Sequence, residues 1–153
     1  MTPLLELRGV SKSFTVVAPR GLFRRAPASW LRAVEDVSLS VASGEALGLV
    51  GESGCGKSTL ARIVARLIDA DSGDLLLDGE AIGAIPPGRF ATHPSRRAVQ
   101  MVFQDPAESL NPRFTAFGAI ADPVRVLCLG DAASVRAKVE RAAETVGLPH
   151  ELL

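Results

Sequence analysis

Two stretches near the N-terminus alternate between apolar and polar positions and predict β-strands. The first runs from Leu4 to Val17 and is typical of one or two short strands. Its apolar members are Leu5, Leu7, Val10, Phe14 and Val16. The second runs from Val34 to Val41 and ends at a Ser-Gly turn. Residues 18–32 between them contain two prolines, a glycine and four arginines, which predicts a basic surface loop or insertion.

Two nearly continuous apolar runs, residues 46–50 and 99–103, predict strands that are buried on both faces. A glycine-rich turn follows the first run, and apolar residues then recur at the spacing of an α-helix. These residues are Leu60, Ile63, Val64, Leu67 and Ile68. Residues 75–77 predict a strand that enters a tight turn at Asp78-Gly79, because Asp-Gly is a strong hairpin signal.

The last forty residues have a helical pattern. It begins past Pro112 and is clearest from Ser134 to Val146, where one face is apolar. Gly147 and the proline two positions later predict the end of that helix.

Composition and charge narrow the class of protein. The 153 residues carry 17 basic and 17 acidic side chains, so the formal net charge is zero, which argues against a nucleic-acid-binding protein. The two cysteines, Cys55 and Cys128, are too few for a disulfide scaffold and lack the spacing of a zinc site. Charges interrupt the N-terminal segment where a signal peptide is apolar, and no apolar run approaches the roughly 18 residues of a membrane-spanning helix. We therefore expect one domain, cytosolic or peripheral on the cytosolic side.

A phosphate-binding motif separates the first apolar run from the helix. Residues 51–59 read GESGCGKST and match the P-loop pattern G-x-x-x-x-G-K-[ST] in its strand–turn–helix context. Its glycines let backbone N–H groups turn toward phosphate oxygens, and the helix N-terminus adds partial positive charge. Lys57 would reach the β- and γ-phosphates, and the Ser58 hydroxyl would ligate Mg²⁺. The candidate nucleotide-binding residues are Gly51, Glu52, Ser53, Gly54, Cys55, Gly56, Lys57, Ser58 and Thr59.

Two alternatives stay open at this motif. The whole segment could be a glycine-rich turn with an exposed lysine. Within it, Cys55 lies at a helix N-terminus, where a thiol can become reactive, or it serves only as a small residue that fills space.

Residues 101–113 supply a second motif, which carries a family resemblance. They read MVFQDPAESLNPR and resemble the Q-loop of ABC transporter ATPases, in the FQDP-x-x-SLNPR form common in ATP-binding subunits of dipeptide and oligopeptide importers. Residues 51–62, GESGCGKSTLAR, resemble the Walker A motif of the same subfamily. The arginine-rich insertion between Phe14 and Val34 is also similar to these subunits, so the resemblance covers essentially the whole chain.

The resemblance implies roles for two further residues. Gln104 would end the strand beside the P-loop, help to position Mg²⁺ and the attacking water, and couple the nucleotide site to membrane subunits. Phe14 would stack on adenine, at a position where many members have tyrosine. The alternatives are a strand-end glutamine without a ligand and a plain core aromatic.

Several motifs of the family are absent from this sequence: an LSGGQ-type signature, a Walker B Asp-Glu pair, a D-loop and a switch histidine. Asp78-Gly79 superficially resembles Walker B but predicts a hairpin turn. His93 comes too early in the sequence to be the switch histidine, and we expect it to lie in a surface loop. The chain thus resembles the N-terminal part of a longer ATPase, and we expect it alone to aggregate readily, to bind nucleotide poorly and to hydrolyse none.

The resemblance implies an α/β fold: an ABC-type P-loop NTPase core with an N-terminal antiparallel β-subdomain and the start of a helical subdomain, the C-terminal half being absent. Residues 4–50 would form the β-subdomain and core strands, with the basic insertion at 18–32. Residues 51–110 would form the P-loop core up to the Q-loop, and residues 111–153 the start of the helical subdomain.

The implied function is ATP binding and hydrolysis, with Mg²⁺, that drives import of peptides or similar small solutes. The implied partners are membrane permease subunits, a second ATPase subunit and, indirectly, a solute-binding protein, with the chain peripheral on the cytoplasmic face of the inner membrane. The alternatives are a soluble P-loop kinase or other NTPase, and a non-catalytic nucleotide-binding fragment. The four arginines of the insertion predict a solvated loop, and contact with lipid phosphates or an acidic partner is the alternative. They are Arg20, Arg24, Arg25 and Arg32.

Overall fold

The structure, a computed structural model, describes residues 3–16, 29–105, 109–127 and 131–153. The chain divides into two units. The first comprises residues 1–95 and contains the sheet, and the second comprises residues 96–153 and contains two longer helices.

Three antiparallel strands form the sheet of the first unit. Strand β1 spans Leu5–Val16, β2 spans Ser29–Val41 and β3 spans Ser72–Leu77, in the order β2-β1-β3. Leu7 and Val10 of the central strand are fully buried and belong to the core, whereas Phe14 and Val16 near the end of this strand are exposed. The predicted N-terminal antiparallel sheet is confirmed.

Strand β2 begins earlier than the sequence predicts. Residues 29–32, which the sequence places in the basic loop, pair with residues 13–16 of β1. Pairing with β1 decides this strand end, because strand formation depends more on cross-strand neighbours than on local composition. Of the four arginines of the predicted loop, Arg32 lies in β2, and the other three lie outside the described residues.

Helix α1 spans Lys57–Val64 and is shorter than the apolar spacing predicts. Leu60 and Ile63 are buried, as expected for one face of a helix, but Leu67 and Ile68 lie beyond its end. The apolar periodicity predicts the position of the helix correctly but places its C-terminus too late in the sequence.

A buried arginine turns the chain at this helix end. Arg66 has a φ of 55°, in the left-handed region. Its guanidinium donates to Asp69 Oδ1 at 2.8 Å and to the carbonyl oxygen of Ile85. Its Nε has no hydrogen-bond partner in the part of the chain that is described. An apolar pattern cannot reveal this turn, because the residue that makes it is charged.

A tight turn follows β3. Asp78 and Gly79 have φ values of 49° and 79°, as a type I′ turn requires. The N–H groups of Leu77 and Glu80 each donate to the carbonyl oxygen of the other at 2.9 Å. The predicted hairpin turn is confirmed, and Asp78 is a turn residue rather than a Walker B carboxylate.

The two apolar runs predicted as buried strands are not strands in the structure. Residues 46–50 and 99–103 have no strand pairing within the described ranges. Val50 and Val102 are each 96% exposed. A strand buried on both faces needs neighbours for its backbone groups and a layer on each face. The described sheet contains β1, β2 and β3 alone, so these two predictions are wrong for this structure.

Short helical segments follow the β3 turn. They are a 3₁₀-helix at Ile82–Ala84, helix α2 at Pro87–Phe90 and a 3₁₀-helix at Pro94–Ala98. His93, predicted in a surface loop, is half-buried: its ring stacks on Phe90 with centroids 6.0 Å apart, and its Nδ1 accepts the Ser95 N–H.

Two helices form the second unit, α3 at Ala116–Leu127 and α4 at Ala132–Thr145. Their shared core contains Ala121, Val135 and Val139. Asp131 caps α4 by accepting the Ser134 N–H at 2.9 Å, and Gly147, with a φ of 70°, follows its end. The last predicted helix is therefore confirmed.

A short 3₁₀-helix at His150–Leu152 follows α4. Among the helices of the described residues, none has the length and apolar character to cross a membrane. Cys128 lies outside the described residues.

Candidate nucleotide-binding site

Residues 51–56 of the predicted phosphate-binding segment form a loop that leads into α1, and residues 57–59 are the start of this helix. Residues 53–56 are turns and bends rather than extended backbone. Gly54 and Gly56 have φ values of 81° and 97°, which L-residues with side chains rarely adopt. The first helical bond runs from the Leu60 N–H to the Gly56 carbonyl oxygen at 2.9 Å. The segment has the compact form that the motif predicts.

Gly56 lies directly against strand β2. A Cβ on this residue would stand 1.9 Å from the carbonyl oxygen of Ala33. Only glycine brings the start of α1 this close to the strand, so β2 positions the loop.

The ammonium of Lys57 folds back over the start of the loop. Its Nζ donates to the carbonyl oxygens of Gly51 and Glu52 at 2.7 Å each, and lies 3.4 Å from Cys55 Sγ. An ammonium has three N–H groups, so two are held by the backbone and the third faces a thiol, which is a weak acceptor. A phosphate oxygen is a charged acceptor and would bind that third N–H more strongly.

The N-terminus of α1 presents further donors. No described side chain caps this helix, and the first N–H groups of any α-helix have no partner within it. The helix dipole adds about half a positive charge at the same place. Ser58, in the first turn, is exposed. The start of α1 is therefore suited to an anion, with a hydroxyl within reach of solvent.

Cys55 is exposed at the centre of this loop. Its Sγ would lie 2.7 Å from a Cβ on Gly51, so the thiol occupies space that only a glycine at position 51 leaves free. Its exposure makes the thiol accessible to reagents, and its reactivity stays a prediction.

Phe14 is not a core aromatic, because 39% of it is exposed near the end of β1. It pairs with Leu31 of β2, two residues before the Ala33 that contacts Gly56. The Lys12 ammonium lies over the ring, 5.7 Å from its centroid, a distance that permits a cation–π interaction. Stacking of Phe14 on adenine stays a prediction.

Lys12 also makes an ion pair that joins β1 to the turn before β3. Its Nζ lies 2.6 Å from Asp71 Oδ1, and Asp71 Oδ2 accepts the Ser13 N–H at 2.7 Å. The bond from Lys12, and then that from Ser13, lower the pKa of Asp71 below its ordinary value. Asp71 therefore fixes the ammonium that lies over Phe14.

A cavity of about 360 Å³ adjoins the loop. Its walls include apolar side chains of β2, of the following segment and of α1, together with the Lys57 side chain. The apolar residues of the walls include Val34, Val37, Leu49 and Leu60. The phosphate loop thus has open space beside it.

Gln104 lies on an exposed bend in the second unit. The strand that it is predicted to end is not formed, so that part of the prediction is wrong. Its role toward Mg²⁺ and water stays a prediction.

Sequence reasoning missed three residues that shape this region: Ala33, Lys12 and Asp71. Ala33 acts through its backbone, so no residue pattern could identify it. Lys12 and Asp71 are 59 positions apart, and only the pairing of strands reveals their contact.

Known proteins resemble this chain in sequence. The sequence model described as ABC transporter matches residues 34–152. The chain is 48% identical over 122 residues to the "Probable peptide ABC transporter ATP-binding protein" of Sinorhizobium fredii. The aligned residues make up 79% of this chain and 33% of that protein. It is 40% identical over 151 residues to the oligopeptide transport ATP-binding protein OppF of Haemophilus influenzae, and the alignment covers 98% of this chain and 45% of that protein. The chain therefore spans less than half the length of these relatives.

Solved structures give the same fold. A dimeric ATP-binding cassette bound to ADP and Pi superposes with a TM-score of 0.75 at 21% identity, covering 97% of this chain and 59% of that one. A second dimeric structure of the same cassette, described as a bacterial ABC transporter cassette, gives a TM-score of 0.76 at 20% identity. The predicted α/β fold is confirmed, and the chain carries only part of it.

Proposed function

Because the chain belongs to the ABC transporter family, we propose that it is the nucleotide-binding part of an ATP-binding subunit that drives import of peptides or similar small solutes. The names of its relatives, which include peptide, oligopeptide and glutathione transport proteins, support this substrate class.

The position of the Lys57 ammonium is the observation that carries the proposal. Two backbone carbonyls hold it at the start of the loop, and its third N–H faces only a thiol. Together with the uncapped start of α1, this arrangement provides several converging donors, as a di- or triphosphate requires.

The residues present fit Mg²⁺-ATP. Lys57 and the N–H groups at the start of α1 would hold the phosphates, and the Ser58 hydroxyl would ligate Mg²⁺. The role of Gln104 as a further Mg²⁺ ligand is proposed from the family resemblance alone. The bound ion would neutralise phosphate charge. Phe14 would bind adenine on the ring face away from Lys12. The rest of the loop, residues 51–56 and Thr59, would shape the phosphate cradle.

The partners proposed for the whole protein are membrane permease subunits, a second ATPase subunit and, indirectly, a solute-binding protein. The dimeric state of the similar cassette, seen in both of its structures, supports the second subunit. The place proposed for this chain, peripheral on the cytoplasmic face of the inner membrane, follows from the proposed role in transport.

The 153 residues contain no Walker B Asp-Glu pair or signature motif. In the family that the chain resembles, the Walker B glutamate polarises the attacking water, and the signature motif closes the ATP site across a dimer. We therefore propose that this chain alone binds nucleotide without hydrolysing it, which makes a non-catalytic nucleotide-binding fragment the second candidate function.

Titration calorimetry with Mg²⁺-ATP on the full chain and on Lys57→Ala tests the proposal. Loss of a charged hydrogen bond costs about 1.5–3 kcal/mol, so the variant should bind roughly 10- to 100-fold more weakly. Lys138→Ala, which removes an exposed lysine of α4, is the matched control and should bind as the parent does.

Equal affinities in the parent and in Lys57→Ala would contradict the assignment of the phosphate site. A phosphate-release assay on the same samples separates the two candidate functions. Release above background from the parent chain would exclude the non-catalytic fragment.

A further inference from the structure

Three residues of the first unit form a chain of contacts beside the nucleotide site: Asp71, Lys12 and Phe14. The Lys12 Nζ lies 2.6 Å from Asp71 Oδ1 and 5.7 Å from the centroid of the Phe14 ring. We propose that Lys12 is a positioning residue for the nucleobase, which orients the Phe14 ring without touching the nucleotide. This inference rests on the proposed function, in which Phe14 stacks on adenine.

The Lys12 ammonium has a fixed place relative to β1. Asp71 is bound to this strand at three points: its N–H donates to the Ser11 carbonyl oxygen at 2.8 Å, its Oδ2 accepts the Ser13 N–H at 2.7 Å, and its Oδ1 accepts from Lys12. The Lys12 side chain is only 17% exposed. A fully exposed ion pair would hold a lysine weakly. Here partial burial and an anchored carboxylate restrict it, and Phe14 lies on the same strand.

The fixed ammonium limits the orientations of the Phe14 ring. Lys12 and Phe14 are two positions apart on β1, so their side chains lie on the same face of the sheet. The face of an aromatic ring carries partial negative charge and attracts a cation that lies over it. Lys12 therefore occupies one face of the ring, and a base would have to stack on the opposite face.

This part of the ladder also leads to the phosphate loop. Lys12 pairs with Val34, whose Cγ2 would lie 3.7 Å from a Cβ on Gly56. A lysine so close to the loop could also bind a phosphate directly. Its ammonium is already engaged by Asp71 and by the Phe14 ring, which favours a role through the ring.

An ordered ring lowers the cost of base binding. A base that stacks on a freely rotating ring must also immobilise that ring, and the ordering of side chains opposes binding. Loss of Lys12 should therefore weaken the binding of ATP, which has a base, and leave the binding of inorganic triphosphate unchanged.

Titration calorimetry of the full chain with Mg²⁺-ATP and with Mg²⁺-triphosphate tests the inference. Lys12→Met keeps an unbranched apolar side chain and removes the cation. It should bind ATP about two- to tenfold more weakly, the range expected when binding has to order one more side chain, with unchanged affinity for triphosphate. Lys138→Met, which removes an exposed lysine of α4, is the matched control and should bind both ligands as the parent does.

A second background separates positioning from other effects of the substitution. In Phe14→Leu, the ring through which Lys12 acts is absent, so adding Lys12→Met should cause no further loss of ATP affinity. Asp71→Asn should weaken ATP binding in the same direction as Lys12→Met and should add little to it, because both changes release the same ring.

Equal ATP affinities in the parent and in Lys12→Met, or the same loss in the Phe14→Leu background, would overturn the inference. An equal loss of ATP and triphosphate affinity would also overturn it, in favour of direct phosphate binding or a disturbed loop. All these outcomes are measured against a parent chain that binds ATP. Absence of binding of both ligands to the parent is a different result and would overturn the proposed function itself.

Discussion

The backbone of Gly56 touches that of Ala33 so closely that a Cβ on residue 56 would lie 1.9 Å from the Ala33 carbonyl oxygen. The contact joins the start of α1 to β2. Two residues earlier along β2, Leu31 pairs with Phe14. Ala33 lies between the paired residues Arg32 and Val34, where the register of the β1–β2 ladder shifts, so the two points are close together along the strand. Strand β2 therefore sets the spacing between the phosphate loop and the exposed aromatic.

The first prediction concerns Gly56→Ala. A methyl group there would meet the Ala33 carbonyl and would also strain a φ of 97°, so we expect a loss of at least about 3 kcal/mol in the free energy of unfolding. Urea denaturation measures it. Gly54→Ala is the matched control, because its φ of 81° is also left-handed but open space surrounds its Cβ position. It should cost only about 1–2 kcal/mol. Similar losses in the two variants would contradict the steric role of Ala33.

The second prediction concerns Phe14→Ala. Removing a stacked aromatic costs about 1–3 kcal/mol per base, so ATP affinity should fall roughly tenfold. Affinity for inorganic triphosphate should stay the same, because that ligand has no base. Phe14→Tyr retains the ring and should bind ATP normally. If Phe14→Ala weakened both ligands equally, its effect would be on the loop rather than on the base.

The third prediction concerns the Cys55 thiol. In a Cys128→Ser background, which leaves one thiol, Mg²⁺-ATP should slow labelling of Cys55 by a maleimide at least severalfold, because phosphates would occupy the space beside Lys57. Adenosine, which lacks phosphates, serves as the control and should give no protection. Labelling at the same rate with and without ATP would place the nucleotide elsewhere.

The fourth prediction concerns pH. The folded chain lowers the pKa of Asp71, chiefly through Lys12, so its contribution is complete above the unfolded pKa of about 3.9 and is lost as pH falls through the lower folded value. A double-mutant cycle with Lys12→Met and Asp71→Asn should give a coupling of up to about 1 kcal/mol at neutral pH, since the carboxylate is half-exposed. Urea denaturation should show the coupling vanishing in acid. A coupling independent of pH would exclude the ion pair as its source.

Sequence patterns predict those parts of the fold that local chemistry decides. Residues 51–59 act through glycine conformations and a lysine at the first position of α1, so their spacing identifies the turn before this helix. Asp78-Gly79 specifies its turn in the same way. Gly147 follows a periodic apolar face, so the sequence predicts the body and the end of α4, although the helix begins at Ala132, two residues before the predicted Ser134.

Sequence patterns do not predict the local structure correctly where contacts with residues distant in sequence determine it. Residues 29–32 become strand because β1 lies beside them, although their own composition resembles a loop. Val50 and Val102 belong to apolar runs, yet no described strand pairs with either run. Arg66 ends α1 through contacts with Asp69 and Ile85 that no periodicity contains. Each case depends on a neighbour that is not adjacent in sequence.

The two carbonyl bonds of Lys57 immobilise a long flexible side chain while the loop is still empty. Restricting a free lysine costs about 2 kcal/mol of rotamer entropy. Here the folded loop has already restricted it, so an arriving ligand meets a preorganised cation. Recognition would then be opposed less by entropy than at a site where the lysine moves freely before contact.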